Sequence, residues 1–593
     1  MGKKQYKVYD KKADFRALGK KFNLDPVVIK VLTNRDISEG EIEKYIKPSL
    51  DNLHDPYLFE NMKETVELII KHVLSKKKIY IVSDYDVDGV CSGFILSDYL
   101  SEIGGNVTNI IPDRVKDGYG INKNHVDIAC ENDATLIITT DNGIAASETV
   151  AYARSKGLDV IVTDHHEVPR VIGENGEVNY VYPDANYIIN HKVPGCSYPF
   201  KDMCGTGVAY KLIIAINEYI KLSLQTSFDH KFDEYIQFVA LATVCDIVSL
   251  TDENRDMVSA GLKLMRNTSN LGLRSLIEAT GIKKDSISSY HLGFILGPCV
   301  NSSGRLDTAN LSLDLFKTDD EAQAKKIAEE LAQLNNERKD MTEKNAKIAI
   351  DMAANDTNNI LVLYLEDCHE SIAGIVAGRV KEAYYKPVIV FAGEAVDGVI
   401  KGSARSIESF DIFEGITKVK DLTVKFGGHT MAAGLSIKKE DLEEFRNKIN
   451  SENTLSLEDL TETINIDCKM PLDYISYKLI DDLSVLEPYG KDNTKPVFGL
   501  SNIKVKKIQI FGANNNVLRF DLITDSGKIV SAVMFTDAMA KIALLEEKHG
   551  KDEVANALAG RDNDLRINIL YYPMVNEFRD VKSIQVNITS LII

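Results

Sequence analysis

From residue 78 onward, short apolar runs alternate with longer amphipathic segments along the chain. The runs "KIYIV", "TLIITT" and "LDVIV" are rich in β-branched residues and have the length of buried strands. The segments "GVCSGFILSDYLSEIG" and "AASETVAYARSKG" that separate them carry helical patterns. Alternating strands and helices are typical of βαβ units. The pattern therefore predicts an α/β fold whose parallel sheet is covered by helices on both faces.

A long helix is predicted over residues 319–353, which contain no glycine or proline and are rich in helix-forming residues. Its apolar positions fall on one helical stripe, formed by Ala324, Ile327, Ala328, Leu331 and Leu334. We expect this helix to join two lobes. A surface helix of a single domain fits the stretch equally well.

A second α/β block follows the long helix, with the strands "NILVLYLE" and "KPVIVFAG" on either side of the helix "SIAGIVAGRVKEAYY". From about residue 457 the pattern changes to strands with one helical interruption. Five or so strands arranged in this way predict a small β-barrel of the OB type.

The composition narrows the class of protein. The chain has 593 residues, of which 44% are hydrophobic and 27% charged, as in soluble globular proteins, and no apolar run reaches the roughly 18 residues of a membrane span. Eight cysteines without a CxxC pair indicate free thiols, so we expect a cytoplasmic protein. The net charge of −18 argues against a general nucleic-acid coat protein, but an enzyme with a local basic groove remains compatible with it.

Acidic residues and histidines follow three of the predicted strands. In chain order they are Asp84, Asp86 and Asp88, then Asp141, then Asp164, His165 and His166. Ligands of open parallel sheets bind beyond the carboxyl ends of the strands, so these side chains are expected to meet there. Asp246, a carboxylate inside the apolar run "ATVCDIVSL", is a further candidate because a buried charge needs a partner.

Such a cluster of carboxylates predicts a metal site, because like charges this close repel unless cations lie among them. Carboxylates with one or two imidazoles suit Mn²⁺ or Mg²⁺. Four or five carboxylates suit two ions, which hydrolyse phosphoesters when they lie about 3.5–4 Å apart. Each acid taken alone is more simply a turn former or helix N-cap, so the metal hypothesis depends on their meeting at one edge.

The motifs "DYDVDG", "TTDNG", "VTDHHE" and "ATVCDIV" resemble, in this order, those of the DHH phosphoesterase superfamily. The nearest resemblance is to the RecJ family of exonucleases, which digest single-stranded DNA from the 5′ end. The stretches "CHESIAGIVAGR", "KGSARS" and "FGGHTMAAG" resemble the DHHA1 domain of that family, and "LEPYGKDNTKPVF" resembles the segment before its OB domain.

The resemblance implies roles for individual residues. It implies that Asp86 and Asp88 bind one metal ion each, that Asp141 bridges the ions, and that His165 and Asp246 complete the second ion's ligands. The other implied site residues are His166 facing the scissile phosphate, Asp84 near the metals, Arg305 on the scissile phosphate, Arg114, Ser403 and Arg405 on the terminal 5′ phosphate, and His429 beside the DNA channel.

The resemblance also implies a domain organisation. The expected ranges are an N-terminal lead-in at 1–75, a DHH phosphoesterase domain at 76–318, a connecting helix at 319–355, a DHHA1 domain at 356–453 and an OB-like nucleic-acid-binding domain at 454–593.

The leading hypothesis is therefore a two-metal 5′-to-3′ exonuclease on single-stranded DNA that acts in DNA repair and recombination. Its partners by resemblance are single-stranded DNA and a single-strand-binding protein or helicase, with no membrane. One alternative is a phosphodiesterase of oligonucleotides or cyclic dinucleotides. The other is a non-catalytic DNA-binding replication scaffold, which the complete set of acidic residues disfavours.

Overall fold

The structure, a computed structural model, describes residues 2–113, 118, 120–173, 175, 177–226, 228–306, 308–579 and 581–592. The chain forms two compact units. The first is built mainly from Pro48–Leu460, and the second combines Lys4–Lys47, Thr461–Tyr489 and Asn493–Ile593. No helix in the described part of the chain is long and apolar enough to cross a lipid bilayer.

The strands of the described residues are β1 (Lys3–Val8), β2 (Lys78–Ser83), β3 (Asn106–Ile110), β4 (Ala134–Thr140), β5 (Asp159–Thr163), β6 (Arg170–Ile172), β7 (Val178–Tyr180), β8 (Tyr187–Ile189), β9 (Leu361–Leu365), β10 (Val388–Val396), β11 (Val399–Arg405), β12 (Lys425–His429), β13 (Ala432–Lys438), β14 (Thr461–Ile466), β15 (Cys468–Lys469), β16 (Phe498–Phe511), β17 (Val517–Ile523), β18 (Ile529–Phe535), β19 (Arg566–Phe578) and β20 (Val581–Ile592).

The α-helices are α1 (Phe15–Phe22), α2 (Pro26–Asn34), α3 (Ile42–Ile46), α4 (Met62–Leu74), α5 (Val87–Glu102), α6 (Lys123–Glu131), α7 (Ser147–Ser155), α8 (Gly205–Leu224), α9 (Asp229–Cys245), α10 (Asp252–Met265), α11 (Leu271–Ala279), α12 (Ser289–His291), α13 (Gly297–Leu306), α14 (Asn310–Lys317), α15 (Glu321–Ala353), α16 (Ala373–Tyr384), α17 (Ile412–Thr417), α18 (Leu442–Ser451), α19 (Tyr477–Ser484), α20 (Ala538–His549) and α21 (Lys551–Ala559). A one-turn π-helix covers Leu292–Leu296, and a 3₁₀ helix at Glu370–Ile372 precedes α16.

The first sheet confirms the predicted α/β fold. Its five strands lie in the order β3-β2-β4-β5-β8, and every neighbouring pair is parallel. Successive residues of β2 are buried on opposite faces, with Ile79 and Ile81 in one apolar core and Tyr80 and Val82 in another. Both faces are therefore covered, which explains why the strands read as continuous apolar runs.

The predicted long helix is present as α15, which spans 33 residues. Four of the five stripe residues, Ala324, Ile327, Ala328 and Leu331, are buried. Three of these, Ile327, Ala328 and Leu331, lie in the core of the parallel-sheet region. Near its other end, Ala349 and Ala353 lie in the core beside β9 and α16. The helix therefore joins the two α/β regions.

The second sheet is mixed, with the order β12-β13-β11-β10-β9. Only β9 and β10 pair in parallel, and the other neighbours are antiparallel. In β10, Val388 and Val390 face the core that contains α16, while Ile389 and Phe391 face the core on the other side. This sheet thus also separates two cores.

The second unit contains the predicted barrel. Strands β16, β17, β18, β20 and β19 pair in that order, and β16 also pairs with β19, which closes the barrel. Helices α20 and α21 form the helical interruption between β18 and β19. Not every strand after residue 457 belongs to the barrel, because β14 lies outside it and pairs with β1. The predicted lead-in is thus partly built into the second unit, because Lys4–Lys47 belong to it.

Candidate metal centre and active site

The parallel sheet brings three strand ends together. Strands β2, β4 and β5 are neighbours in the sheet, and they run in the same direction. Asp84 follows β2, Asp141 follows β4, and the Asp164–His166 segment follows β5. The carboxylates and imidazoles predicted to meet at this edge therefore do so.

Asp86 is the N-cap of α5. Its Oδ1 accepts hydrogen bonds from the backbone N–H groups of Asp88 and Gly89, at 2.9 and 3.1 Å. Gly89 is required by close approach, because a Cβ at this position would lie 2.2 Å from the carbonyl oxygen of Asp84. The capping bonds orient the Asp86 carboxylate at the sheet edge and leave its second oxygen for another partner.

Asp88 lies in the first turn of α5, and its carboxylate meets the N-terminus of α8. Its Oδ2 accepts from the backbone N–H of Gly205 at 2.6 Å. Its Oδ1 accepts from the backbone N–H of Thr206 at 2.7 Å and from the Thr206 hydroxyl at 2.6 Å. The charge of Asp88 is thereby placed at the positive end of a helix.

Asp141 adopts an unusual backbone conformation for a residue with a side chain. Its φ is +61°, and its backbone N–H donates to the carbonyl of Thr163 at 3.1 Å. The next residue, Asn142, donates from its side chain to the carbonyls of Val82 and Thr140 at 3.0 and 2.9 Å. The turn after β4 is therefore fixed in a conformation that costs about 1–3 kcal/mol, and such strain is common at functional sites.

The side chains form overlapping groups with the spacing of metal ligands. One group is Asp84, Asp86 and Asp141, another is Asp88, His165 and Asp246, and a third is Asp141, His165 and His166. Within each group the candidate ligand atoms lie within 4.8 Å of one another. The Nε2 of His165 is 3.0 Å from Oδ1 of Asp141 and 3.7 Å from carboxylate oxygens of both Asp88 and Asp246.

The pKa values of the clustered carboxyl groups indicate that their charges are unfavourable without cations. Burial raises the pKa of Asp86, and the neighbouring charge of Asp88 raises it further. Burial, followed by the charges of the other carboxylates, raises the pKa values of Asp141 and Asp246 well above the usual range. Cations bound among these oxygens would offset the cost of burying several negative charges close together.

The burial and protonation state of His165 show whether the side chains in the cluster suit a metal ion. The side chain is 6% exposed, and although Nε2 lies 3.0 Å from Oδ1 of Asp141, neither ring nitrogen makes a hydrogen bond of suitable geometry within the described ranges of the chain. Burial, together with the charge of His166, lowers the pKa of His165 to about 4, so the imidazole is neutral at pH 7. A neutral, buried imidazole facing carboxylates has the form that a metal ion binds. The donor set therefore fits divalent cations.

Asp164 controls the orientation of His166. Its Oδ1 accepts from the backbone N–H groups of His165 and His166 and lies 2.8 Å from Nδ1 of the His166 ring. Its Oδ2 accepts from the backbone N–H of Ile144 at 2.9 Å. Burial opposes ionisation of Asp164, but the bond to His166 outweighs it and the pKa falls to about 2. Burial also opposes the charge of His166, yet Asp164 raises the pKa of His166 to about 9.

The predicted phosphate-binding residues lie on different elements. Arg305, in α13, donates from Nη1 to the carbonyl of Ser371 at 2.6 Å, so it connects the parallel-sheet region to the segment before α16. Ser403 and Arg405 lie two residues apart on β11, and therefore on one face of that strand. The Arg405 guanidinium lies beside Gly374, where an added Cβ would be 2.6 Å from Nη2.

The two remaining predicted residues have different outcomes. His429 ends β12, and its ring is stacked on that of His166. It therefore lies beside the metal cluster. Arg114 lies outside the described residues.

The sequence hypothesis gave no role to several residues that hold the cluster together, although it named Asp164 among the strand-end residues. Thr206 and Gly205 bind Asp88, Asp164 binds His166, and the Asn301 side chain accepts from the backbone N–H of Val87 at 3.1 Å. The role of Asp164 could have been suspected from the sequence, because it directly precedes the two histidines after β5. The role of Thr206 could not have been suspected, because Thr206 and Asp88 are 118 residues apart along the chain.

Family models match three parts of the chain. The model described as DHH family, N-terminal domain, matches residues 78–243. The DHHA1 domain model matches residues 357–454, and the RecJ OB domain model matches residues 466–590. The three matches follow one another along the chain in that order.

Curated relatives with the name single-stranded-DNA-specific exonuclease RecJ are similar over most of the chain. The protein of Haemophilus influenzae (strain ATCC 51907 / DSM 11121 / KW20 / Rd) is 30% identical over 82% of this chain and 85% of its own length. That of Escherichia coli (strain K12) is 32% identical over 72% of this chain and 74% of its own length. That of Bacillus subtilis (strain 168) is 33% identical over 87% of this chain, and the chain spans only 63% of its length.

The fold is also that of a solved relative. The crystal structure of RecJ in complex with Mn²⁺ from Thermus thermophilus matches 99% of this chain and 79% of its own, with a TM-score of 0.79 and 24% identity. Together with the three domain matches and the relatives that are at least 30% identical, these findings assign the chain. It belongs to the RecJ family of single-stranded-DNA-specific exonucleases, within the DHH phosphoesterases.

Proposed function

We propose that this chain hydrolyses single-stranded DNA from its 5′ end with the help of two divalent metal ions, in DNA repair and recombination. The observation that carries the proposal is the cluster formed at the ends of β2, β4 and β5 together with Asp246 at the C-terminus of α9, in which two separate groups of three side chains have the spacing of metal ligands. Family membership supports single-stranded DNA as the substrate, since the relatives carry that substrate in their names.

The proposed ligand assignment follows the two groups. Asp86 would hold the first ion with Asp84 beside it, and Asp88, His165 and Asp246 would hold the second. Asp141 would serve both ions. Oxygen-rich ligands suit Mn²⁺ or Mg²⁺, and solved RecJ structures contain one or the other. When bound, a pair of such ions activates water and stabilises the phosphate charge that develops during hydrolysis.

In this proposal, His166 supplies a proton near the scissile phosphate. Asp164 occupies its Nδ1 and favours its protonated form, so Nε2 is directed away from Asp164 and can donate to the phosphate or the leaving oxygen. Arg305 holds the scissile phosphate. A guanidinium carries five N–H donors, so the bond to Ser371 is compatible with this role.

The 5′ direction is proposed to come from a pocket for the terminal phosphate. Ser403 and Arg405 supply a hydroxyl and a guanidinium from one face of β11, and the N-terminal turn of α16 lies beside the guanidinium. Arginine binds phosphate oxygens bidentately, and a helix N-terminus favours an anion. Arg114 completes the pocket in the proposal by resemblance.

The barrel is proposed to bind the strand. Phe511 and Phe535 lie in register on either side of Val517 and are 46% and 71% exposed. Exposed aromatic rings stack on bases without regard to sequence.

A single-strand-binding protein or helicase as partner, and a cytoplasmic location, are proposed from the resemblance. The eight unbridged cysteines are compatible with a reducing compartment.

The test is degradation of single-stranded and duplex DNA labelled at the 5′ or the 3′ end, with Mn²⁺, Mg²⁺ or chelator. The account predicts early release of short products from the 5′ label, only with metal and only on single strands. The Asp141→Ala variant is the inactive control. Early release from the 3′ label would refute the polarity, and cleavage confined to dinucleotides would favour the oligonucleotide phosphodiesterase.

A further inference from the structure

We propose that Thr206 is a positioning residue that holds the Asp88 carboxylate so that only its Oδ2 is available to a metal ion. The inference rests on the proposed metal centre and adds to it a residue outside the strand-end motifs. Thr206 lies in the first turn of α8 and is fully buried. It reaches Asp88 from a helix whose described residues belong to none of the candidate metal groups.

The hydrogen bonds distinguish the two oxygens of Asp88. Oδ1 accepts from the backbone N–H of Thr206 at 2.7 Å and from its hydroxyl at 2.6 Å. Oδ2 accepts only from the backbone N–H of Gly205 among the hydrogen bonds within the described chain. A carboxylate has about four lone-pair sites, two on each oxygen, so Oδ1 is filled and Oδ2 retains one site.

The oxygen of Asp88 that keeps an unused lone pair, Oδ2, lies near the other candidate ligands. Oδ2 is the oxygen that lies 3.7 Å from Nε2 of His165, and both residues belong to the group that includes Asp246. The Thr206 hydroxyl also lies 2.9 Å from the backbone carbonyl of Asp88, but it has one proton, and the closer, charged Oδ1 is the stronger acceptor. Asp88 is therefore expected to bind its ion through one oxygen.

Gly205 connects the same helix end to Asp141. A Cβ on Gly205 would lie 2.7 Å from Cβ and 2.9 Å from Cα of Asp141, so only glycine allows this approach. The first turn of α8 thus contacts two candidate ligands, Asp88 through hydrogen bonds and Asp141 through packing. Movement of this helix end would displace both.

The test is calorimetric titration of the metal-free full chain with Mn²⁺. Thr206→Val removes the hydroxyl with little change in shape and keeps the backbone N–H, and we expect Mn²⁺ affinity to fall about 10- to 100-fold, as for other side chains that orient metal ligands. Thr206→Ser keeps the hydroxyl and should retain the wild-type affinity. Thr65→Val is the matched control, since its buried hydroxyl has no hydrogen-bond partner among the described residues.

The outcomes separate this inference from the proposed function. Failure of the wild-type chain to bind Mn²⁺ would refute the metal centre itself. Wild-type binding with unchanged affinity in Thr206→Val would overturn the role of Thr206 alone. Equal losses in the Val and Ser variants would assign the effect to packing and also overturn it. If Thr206→Val does not fold, loss of affinity in a folded Thr206→Ser variant would be the overturning result.

Discussion

The imidazole rings of His166 and His429 are stacked, with their centroids 6.2 Å apart and their planes inclined by 19°. His166 follows β5 of the parallel sheet, whereas His429 ends β12 of the second sheet. The contact therefore joins the metal cluster to the second α/β region. Arg305 makes a second connection between these regions through Ser371.

The ring contact predicts a limited role for His429. Replacing His429 with Ala removes a neighbour of His166 but no candidate metal ligand, so we expect kcat to fall by at most about tenfold, the equivalent of an aromatic pair. Mn²⁺ affinity should stay at the wild-type value. Steady-state kinetics and calorimetry measure the two effects, with His549→Ala in α20 as the control. A parallel loss of Mn²⁺ affinity would show that His429 supports the ligands directly.

Asp164→Asn should separate protonation of His166 from metal binding. The amide oxygen can still accept from the backbone N–H groups of His165 and His166, but the negative charge that stabilises protonated His166 is lost. We expect kcat to fall about 10- to 100-fold, as for other residues that orient catalytic groups, with a much smaller change in Mn²⁺ affinity. Steady-state kinetics and calorimetry again measure the two quantities. The prediction fails if affinity and kcat decline together.

Arg405 should distinguish DNA by its 5′ end. The wild-type chain is expected to degrade 5′-phosphorylated single strands more efficiently than 5′-hydroxyl strands. Arg405→Ala should raise KM for the phosphorylated substrate and reduce this preference, because a bidentate partner of the phosphate is removed. The matched control is Arg379→Ala, which removes an exposed arginine paired with Glu382 at 3.4 Å. An undiminished preference in Arg405→Ala would exclude Arg405 from the pocket.

Breaking a buried ion pair should strongly destabilise the parallel-sheet region. Lys211 and Glu253 are fully buried, with Nζ 2.6 Å from Oε2, and the Tyr198 hydroxyl donates to the same carboxylate at 2.6 Å. Lys211→Met leaves the Glu253 charge without its cation, so the free energy of unfolding should fall by about 3–5 kcal/mol.

Urea unfolding followed by circular dichroism measures the effect of Lys211→Met. The control is Lys325→Met, which removes an exposed pair with Glu329 at 4.0 Å and should change stability by less than about 1 kcal/mol. Equal stabilities of the two variants would argue against a structural role for the buried pair.

The sequence was sufficient for the parts of the fold that depend on local pattern. Apolar runs predicted β2, β4 and β5, and the rule that ligands bind at the carboxyl ends of parallel strands placed Asp84, Asp141 and His165 at one edge. The stripe of α15 was similarly local, since residues three and four apart share a helix face.

Features that depend on distant contacts could not be predicted in this way. The pairing of β14 with β1 joins segments that lie 458 residues apart at the Gln5–Thr463 hydrogen bond, and no local pattern distinguishes β14 from a barrel strand. The hydrogen bonds of Thr206 to Asp88 and of Asn301 to the N-terminus of α5 arise only when the helices pack. Which residues ligate each metal ion stays a prediction.

Anomalous diffraction from crystals grown with Mn²⁺ shows directly whether two ions bind in this cluster. The account predicts two manganese peaks about 3.5–4 Å apart, one among Asp84, Asp86 and Asp141 and the other among Asp88, His165 and Asp246. Asp141→Ala, which removes the proposed bridge, should weaken or abolish both peaks. Manganese peaks elsewhere in the chain, with none at the ends of β2, β4 and β5, would contradict the proposed centre.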